Sequence, residues 1–250
     1  MTQSDMRATP DSFVVIVAAP WGAKAASLLV QTYEQTWVEP LKISFEDNQE
    51  IGTLTSGGIS VSCILEEPIP ELVELCGSSY EPYAASEEVM LEMHTHVWRL
   101  VATGGMEASI ALLKIMTAFI EAGASGIFLP QALRMHSPRT IRVLSMEPDS
   151  EQALANIFVN AWHSGEWMRT RGLTAFGLPE IETPVVDGLN GAYFRLMDIA
   201  ANMIRRGGKF PSGSQIMAGP RTFKLEAGPL GPADERVPMA GHFGVQALVP

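Results

Sequence analysis

Two pairs of side chains have the types and spacing used in acid–base or metal chemistry. Glu180 and Glu182 follow the turn sequence 177–179, and alternation along a strand would turn both carboxylates to one side, close enough to share a proton. His94 and His96 have the same spacing, and their imidazoles would face one side of a strand, as metal ligands do. Both pairs also have structural explanations. Charged side chains on edge strands discourage aggregation, and two histidines supply only half of a metal site.

Other catalytic or cofactor motifs are missing from the sequence. The glycine pairs fit neither G-x-G-x-x-G nor a phosphate-binding loop, and there is no G-x-S-x-G nucleophile elbow. Cys63 and Cys76 lack zinc-site spacing, so we expect two buried thiols, with a disulfide between them as the alternative. We therefore expect no metal, no cofactor and no enzymatic activity. The alternative is a small-ligand protein or enzyme whose pocket combines the two glutamates and two histidines described above.

The acidic residues are concentrated in one segment. The chain has 250 residues with 17 basic and 28 acidic side chains, which gives a net charge of −11. No Lys or Arg occurs between Lys42 and Arg99, and the remainder of the chain is balanced, so this segment carries the whole net charge. Its acids are Glu46, Asp47, Glu50, Glu66, Glu67, Glu71, Glu74, Glu81, Glu87, Glu88 and Glu92.

Segregated negative charge favours a cationic partner. A surface of one sign focuses the electrostatic potential and speeds encounter, so we expect these acids to bind a basic protein, for example one that itself grips nucleic acid. Nucleic-acid binding by this chain is not expected, because it requires clustered Lys and Arg. Three alternatives stay open. The acids spread over several faces and only keep the chain soluble, they hold a cation although no calcium-loop spacing occurs, or the chain is a structural subunit without a ligand.

Hydrophobic periodicity predicts an α+β fold with a mixed β-sheet and helices packed on it. About three strand–helix–strand units start near Phe13, His94 and Trp167. Interposed hairpin strands make a purely parallel sheet improbable. The predicted helices include 106–122, 152–162 and 189–206, and the predicted strands include 13–20, 127–132, 167–176 and 222–225.

Composition also sets expectations for the domains and the location of the chain. We expect one α+β domain over residues 1–225, which can be divided into two subdomains of about 1–95 and 96–225. Frequent Gly and Pro predict a tail over 226–250 that is extended over the surface or loose. The first residues lack the basic start and apolar core of a signal peptide, and the apolar run 13–20 is too short to span a bilayer. We therefore expect a cytoplasmic protein that does not bind membranes.

The stretch Thr170–Glu180, followed by the helix over 189–204, resembles an uncharacterised bacterial family with the signature T-x-G-L-x-x-F-G-x-P-E. Residues 67–70 and 94–101 are similar to the upstream region of that family, whereas Arg171 stands where its members more often have a small residue. The family has no established activity, so the resemblance implies a fold and leaves the function open.

A second resemblance is one of type. Compact acidic α+β chains without catalytic motifs resemble the immunity proteins of bacterial toxins and secreted effectors, which neutralise a toxin by covering its active site. By analogy, this resemblance implies a protein that occludes a cognate basic toxin, such as a nuclease.

Overall fold

The structure is an α+β fold with two β-sheets. The computed structural model describes residues 11–46, 50–78, 83–218, 221–231 and 244–249. The strands are β1 (Ser12–Ala19), β2 (Leu41–Phe45), β3 (Ile51–Ser56), β4 (Ile59–Glu66), β5 (His96–Thr103), β6 (Gly126–Leu129), β7 (Arg134–His136), β8 (Asn160–Ser164), β9 (Trp167–Arg171), β10 (Glu180–Pro184), β11 (Gln215–Ala218), β12 (Arg221–Ala227) and β13 (Val245–Val249). The α-helices are α1 (Ala26–Trp37), α2 (Ala85–Glu92), α3 (Gly105–Glu121), α4 (Pro138–Leu144), α5 (Glu151–Phe158) and α6 (Gly188–Arg206). Short 3-10 helices occupy Ala23–Ala25, Pro70–Ser78 and Leu173–Phe176.

The two sheets differ in strand direction. The first sheet has the order β2-β3-β4-β5-β1-β6-β7, and its neighbouring strands are antiparallel. The second has the order β11-β12-β13-β10-β9-β8 and is mixed, because β10 pairs with β13 in parallel while its other pairs are antiparallel. The predicted α+β class with a mixed sheet is therefore confirmed.

β1 lies inside the first sheet and is buried on both faces. Phe13, Val15 and Val17 point into a large core that α1 and α3 share, whereas Ile16 and Ala18 point into a smaller core on the opposite face. A continuous run of β-branched and aromatic residues is what a strand covered on both sides requires.

The large core continues from the first sheet to the second. The Phe13 ring centroid lies 5.0 Å from that of Phe158 on α5 and 4.8 Å from that of Phe176, both in edge-to-face contact. Residues 12–136 supply the first sheet and 160–249 the second. The change between sheets therefore falls at α4 and α5, whereas the expected division lay near residue 95.

The smaller core is closed by a layer that we call the cover layer, made of the 3-10 helix Pro70–Ser78 and α2. Its residues Leu72, Cys76 and Leu91 pack with strand residues of the first sheet such as Ile16. The cover layer therefore lies on the face of the first sheet opposite to α1 and α3.

The two cysteines lie on opposite faces of the first sheet and are free thiols. Cys63 belongs to the large core and Cys76 to the smaller one, so the disulfide alternative is wrong. Burial raises the pKa of Cys63 to about 12 and that of Cys76 to about 11. Both thiols are therefore protonated at neutral pH and poor nucleophiles.

Elements after residue 150 differ from the sequence prediction in two places. The helix predicted over 152–162 ends at Phe158, because β8 forms a hairpin with β9 around Gly165, which has a φ of 61°. The strand predicted over 167–176 ends at Arg171, because Gly172 turns the chain with a φ of 122°.

The predicted tail contains a buried strand. β13 lies between β10 and β12, and Val245, Ala247 and Leu248 are buried. The prediction of a surface tail over 226–250 is therefore wrong for β13, because the apolar side chains of Val245, Ala247 and Leu248 are buried between β10 and β12. Residues 232–243 and 250 lie outside the described part of the chain.

Candidate functional site

Glu180 holds the turn between β9 and β10. Its buried carboxylate accepts hydrogen bonds from Thr170 Oγ1 at 2.7 Å, Gly172 N at 2.9 Å and Thr174 N at 3.3 Å. Two of these donors are backbone N–H groups at the start of the 3-10 helix Leu173–Phe176, which a carboxylate stabilises. A Cβ at Gly172 would lie 2.1 Å from the Phe158 carbonyl oxygen, so this position requires glycine. The residues of the T-x-G…E pattern are thus explained by the geometry of one turn.

Glu182 forms a buried ion pair across the second sheet. It lies opposite Arg169 in the β9–β10 register, and Arg169 Nε donates to Glu182 Oε2 at 3.0 Å. Its second oxygen, Oε1, accepts from the backbone N–H groups of Leu230 and Gly231, the latter at 3.1 Å. Glu182 therefore links two strands to the chain that follows β12.

The structure does not support proton sharing between Glu180 and Glu182. The two carboxylates bond to different groups, and β10 lies inside the second sheet, so the edge-strand explanation is wrong as well. Burial raises the pKa of Glu180, although hydrogen bonds from Thr170 and the turn oppose this shift. Both glutamates are buried and bonded to groups of the fold, as expected for residues with a structural role. The alternation in the sequence did not indicate that they are buried.

His94 and His96 do not line one side of a strand. His94 precedes β5 and is buried, with Nδ1 2.6 Å from the Leu91 carbonyl oxygen and Nε2 accepting from Ile69 N at 3.0 Å. His96 begins β5, contacts Thr95 Oγ1 through Nδ1 at 2.8 Å, and lies against Gly22. His94 thus joins the start and end of the cover layer, and the alternation expected of a strand does not apply to it.

The four residues of the alternative pocket have separate surroundings. The histidines contact Ile69, Leu91 and Thr95, which lie in or next to the cover layer and β5, whereas the partners of the glutamates come from the second sheet and its loops. Within the described ranges, no group of three or more His, Cys, Asp or Glu side chains has the arrangement of a metal site. The geometry gives no support to a common Glu/His site.

A polar cluster that the sequence analysis missed lies where α1, β3 and α3 meet. Tyr33 hydrogen-bonds Glu39 and lies 2.5 Å from Ser56 Oγ, while Lys114 Nζ donates to Glu39 Oε2 at 2.9 Å. Burial of Glu39 favours the neutral acid, but hydrogen bonds from Tyr33 and Lys114 outweigh it and lower the pKa of Glu39. Glu39, Ser56 and Lys114 also line a surface pocket of about 260 Å³.

The side chains of this polar cluster hydrogen-bond one another, so the cluster has the pattern of a structural link between α1, β3 and α3. A signal for it was present in the sequence, because Lys114 is the single charged residue within the apolar stretch of α3. A lone lysine among buried residues needs an acceptor close by.

The acidic segment is largely exposed on the cover layer and beside it. Exposed side chains there are Glu67, Glu71, Glu74, Glu88 and Glu92. Glu66 is half-buried and pairs with Arg99 through two hydrogen bonds of 2.9 Å, and Glu87 accepts from Ala84 N at 2.9 Å. Among the described residues, the five exposed acids form no ion pair with Lys or Arg.

Further acids lie at the end of the first sheet from which the cover layer starts. The Glu46 N–H donates to the Ile51 carbonyl at 2.8 Å, and the Leu65 N–H donates to the Glu50 carbonyl at 2.7 Å. These bonds place the exposed Glu46 and Glu50 beside the end of β4 and Glu66. Asp47 and Glu81, the other two acids predicted to bind a partner, lie outside the described residues.

Comparisons with known proteins do not identify this chain. No protein-family model, no curated protein and no solved structure matches it. The resemblance of Thr170–Glu180 to an uncharacterised bacterial family therefore stays a prediction. In the described part of the chain, the helices are too short or too polar to cross a membrane.

Proposed function

We propose that this chain is a cytoplasmic binding protein that occludes a cationic protein partner, in the manner of an immunity protein that neutralises a basic bacterial toxin. The observation that supports the proposal best is the exposure of acids along the cover layer and the adjoining end of the first sheet. Five of these acids have no described basic partner within the chain.

Electrostatics then accounts for recognition and rate. Exposed like charges repel one another, and a cationic surface relieves this repulsion while the long-range field speeds encounter by roughly tenfold to a thousandfold at low salt. A nuclease toxin is one such partner, because its own substrate is an anion and its cleft is basic. An acidic protein that covers the cleft competes with that substrate without needing any catalytic group.

A charge-reversal experiment tests the electrostatic part of the proposal. The tagged full-length chain is used to recover a stoichiometric partner from its native host, and the partner is then purified. Replacing Glu67, Glu71 and Glu74 with Lys should lower the association rate with this partner by about tenfold or more at low salt. The matched control replaces Glu34, Glu147 and Asp149, which are exposed acids outside the segment, with Lys.

The control separates a local surface from net charge, since both variants change the charge by the same amount. An equal loss of association rate in the two variants, or none in either, would contradict the proposal. The toxin part has its own measurement. Expression of the partner alone should arrest growth, and co-expression of the wild-type chain should restore it. A partner that is harmless when expressed alone would exclude toxin immunity.

A further inference from the structure

α2 carries an apolar stripe on its solvent side. Val89, Met90 and Met93 are 51%, 53% and 70% exposed. Met93, which caps the end of α2, follows Val89 by four residues and Met90 by three, and these spacings place it beside both. Leu91 is the buried residue of α2 and points the opposite way, into the smaller core. The apolar stripe therefore adds nothing to the packing of α2 on the described residues of the first sheet.

Acidic side chains flank this apolar stripe. Glu88 and Glu92 lie four residues apart along one side of it, and both are exposed. Glu71 and Glu74 add further exposed acids from the 3-10 helix that packs beside α2. An apolar centre with a charged rim is the usual anatomy of a protein–protein interface, in which the buried centre supplies most of the affinity.

We infer that Val89, Met90 and Met93 are the apolar anchor with which this chain docks its partner, a protein surface that presents an apolar centre ringed by Lys and Arg. This inference rests on the proposed function and adds the element that makes the contact. Flexible, polarizable methionine side chains adapt well to such a centre.

Charge decides between the possible occupants of the stripe. A second copy of this chain would bring the same glutamates face to face, and an anionic lipid surface would repel them too. A cationic protein offsets the rim charges while it covers the stripe, so it is the occupant that the surface fits.

The test uses two labelled synthetic helical peptides as probes. One has leucines along one face and lysines elsewhere, and the other has serine in place of each leucine. Fluorescence anisotropy at low salt gives the affinity of the full-length chain for each. The test variant is Met90→Ser/Met93→Ser, and the control is Met146→Ser/Met217→Ser, in which both methionines are 81% exposed outside the cover layer. Circular dichroism confirms that each variant is folded.

The wild-type chain should bind the leucine–lysine peptide at least about tenfold more tightly than the serine–lysine peptide, as expected for two methionines that become buried. Met90→Ser/Met93→Ser should abolish this preference and keep the weaker lysine-dependent binding, and the control should keep both. An unchanged preference in the test variant would overturn the inference and leave the proposed function standing. If the wild-type chain binds neither peptide, the proposed function itself fails.

Sedimentation velocity tests whether a second copy of this chain occupies the stripe. The wild-type chain should stay monomeric over the concentrations used for binding. A concentration-dependent dimer that disappears in Met90→Ser/Met93→Ser would show that the stripe joins two copies, and this would overturn the inference.

Discussion

At the scale of single residues, Glu180 and His136 make the stability of the fold depend on pH in opposite directions. Burial disfavours the charged form of each side chain, so the pKa of Glu180 is raised and that of His136 is lowered to about 3. The folded state therefore binds more protons than the unfolded state at Glu180 and fewer at His136. Acidification stabilises the fold through the glutamate and destabilises it through the histidine.

The histidine effect gives the first prediction. His136 is buried beside Arg134, with Nε2 2.9 Å from the Ile157 carbonyl oxygen. Below about pH 6.5 the unfolded chain gains a proton that the folded chain excludes, so this residue lowers the unfolding free energy by up to about 1.4 kcal/mol per pH unit. His136→Gln should flatten this slope between pH 6 and about pH 4, as measured by urea denaturation. The control is His163→Gln at an exposed position, and an unchanged slope in His136→Gln would contradict the prediction.

Glu180 gives the second prediction. Glu180→Ala leaves the Thr170 hydroxyl and the N–H groups of Gly172 and Thr174 without their acceptor, and should cost about 3 kcal/mol or more of unfolding free energy. Glu180→Gln keeps one acceptor oxygen and should cost less. The pKa of Glu180 is raised in the folded state. The unfolding free energy of wild type relative to Glu180→Gln should therefore increase as the pH falls through this folded-state pKa. Equal denaturation midpoints for the alanine variant and wild type would show that the carboxylate does not hold the turn.

These residues also show what the sequence could reveal about the site. Glu180 and Glu182 stood out as a pair with a strand-like spacing, but their partners lie on β9 and after β12, and only the folded sheet brings those groups together. His94 lies outside the strand that its spacing suggested. Spacing thus identified residues that matter without indicating whether they act in structure or in chemistry.

At the scale of elements, strong periodicity was a reliable guide and local composition was not. β1, α3 and α6 match their predicted ranges closely, because each has a long apolar run or face. α4 was missed, although Ser137 caps it in the usual way by accepting from Thr140 N at 3.2 Å. β13 was missed because it pairs with β10, which lies far from it in the sequence, whereas β8 was missed because residues of its hairpin with β9 were assigned to a helix.

β13 gives the third prediction, because a strand between β10 and β12 must contribute to the core. Leu248 is fully buried there, so Leu248→Ala should lower the unfolding free energy by about 2–5 kcal/mol, as cavity-forming substitutions do. Leu230→Ala, at a side chain that is 51% exposed, should change it by about 0.5 kcal/mol or less. Guanidinium denaturation of both variants measures the difference. A loss at Leu248 no larger than at Leu230 would mean that β13 is not part of the core.

At the scale of the whole molecule, the two sheets share one topological unit. In each, a strand is followed by a helix and then by a meander of three strands that returns toward the first: β1-α1-β2-β3-β4 and β10-α6-β11-β12-β13. In the second sheet the meander closes directly, since β13 pairs with β10. In the first sheet β5 is inserted between β4 and β1. The cover layer lies in the segment between β4 and β5. The strand inserted into the first sheet and the acidic surface therefore belong to one insertion that the second sheet lacks.

The shared core leads to the last prediction, which concerns cooperativity. The large core runs through both sheets, with the Phe13, Phe158 and Phe176 rings in contact between them, so neither sheet keeps its packing if the other unfolds. The full chain should therefore unfold in one transition, with equal calorimetric and van't Hoff enthalpies. Native-state hydrogen exchange should give the same opening free energy for the slowest amides of β1 and of β10. Two calorimetric transitions, or a markedly lower opening free energy in one sheet, would show instead that the halves before and after α4 fold independently.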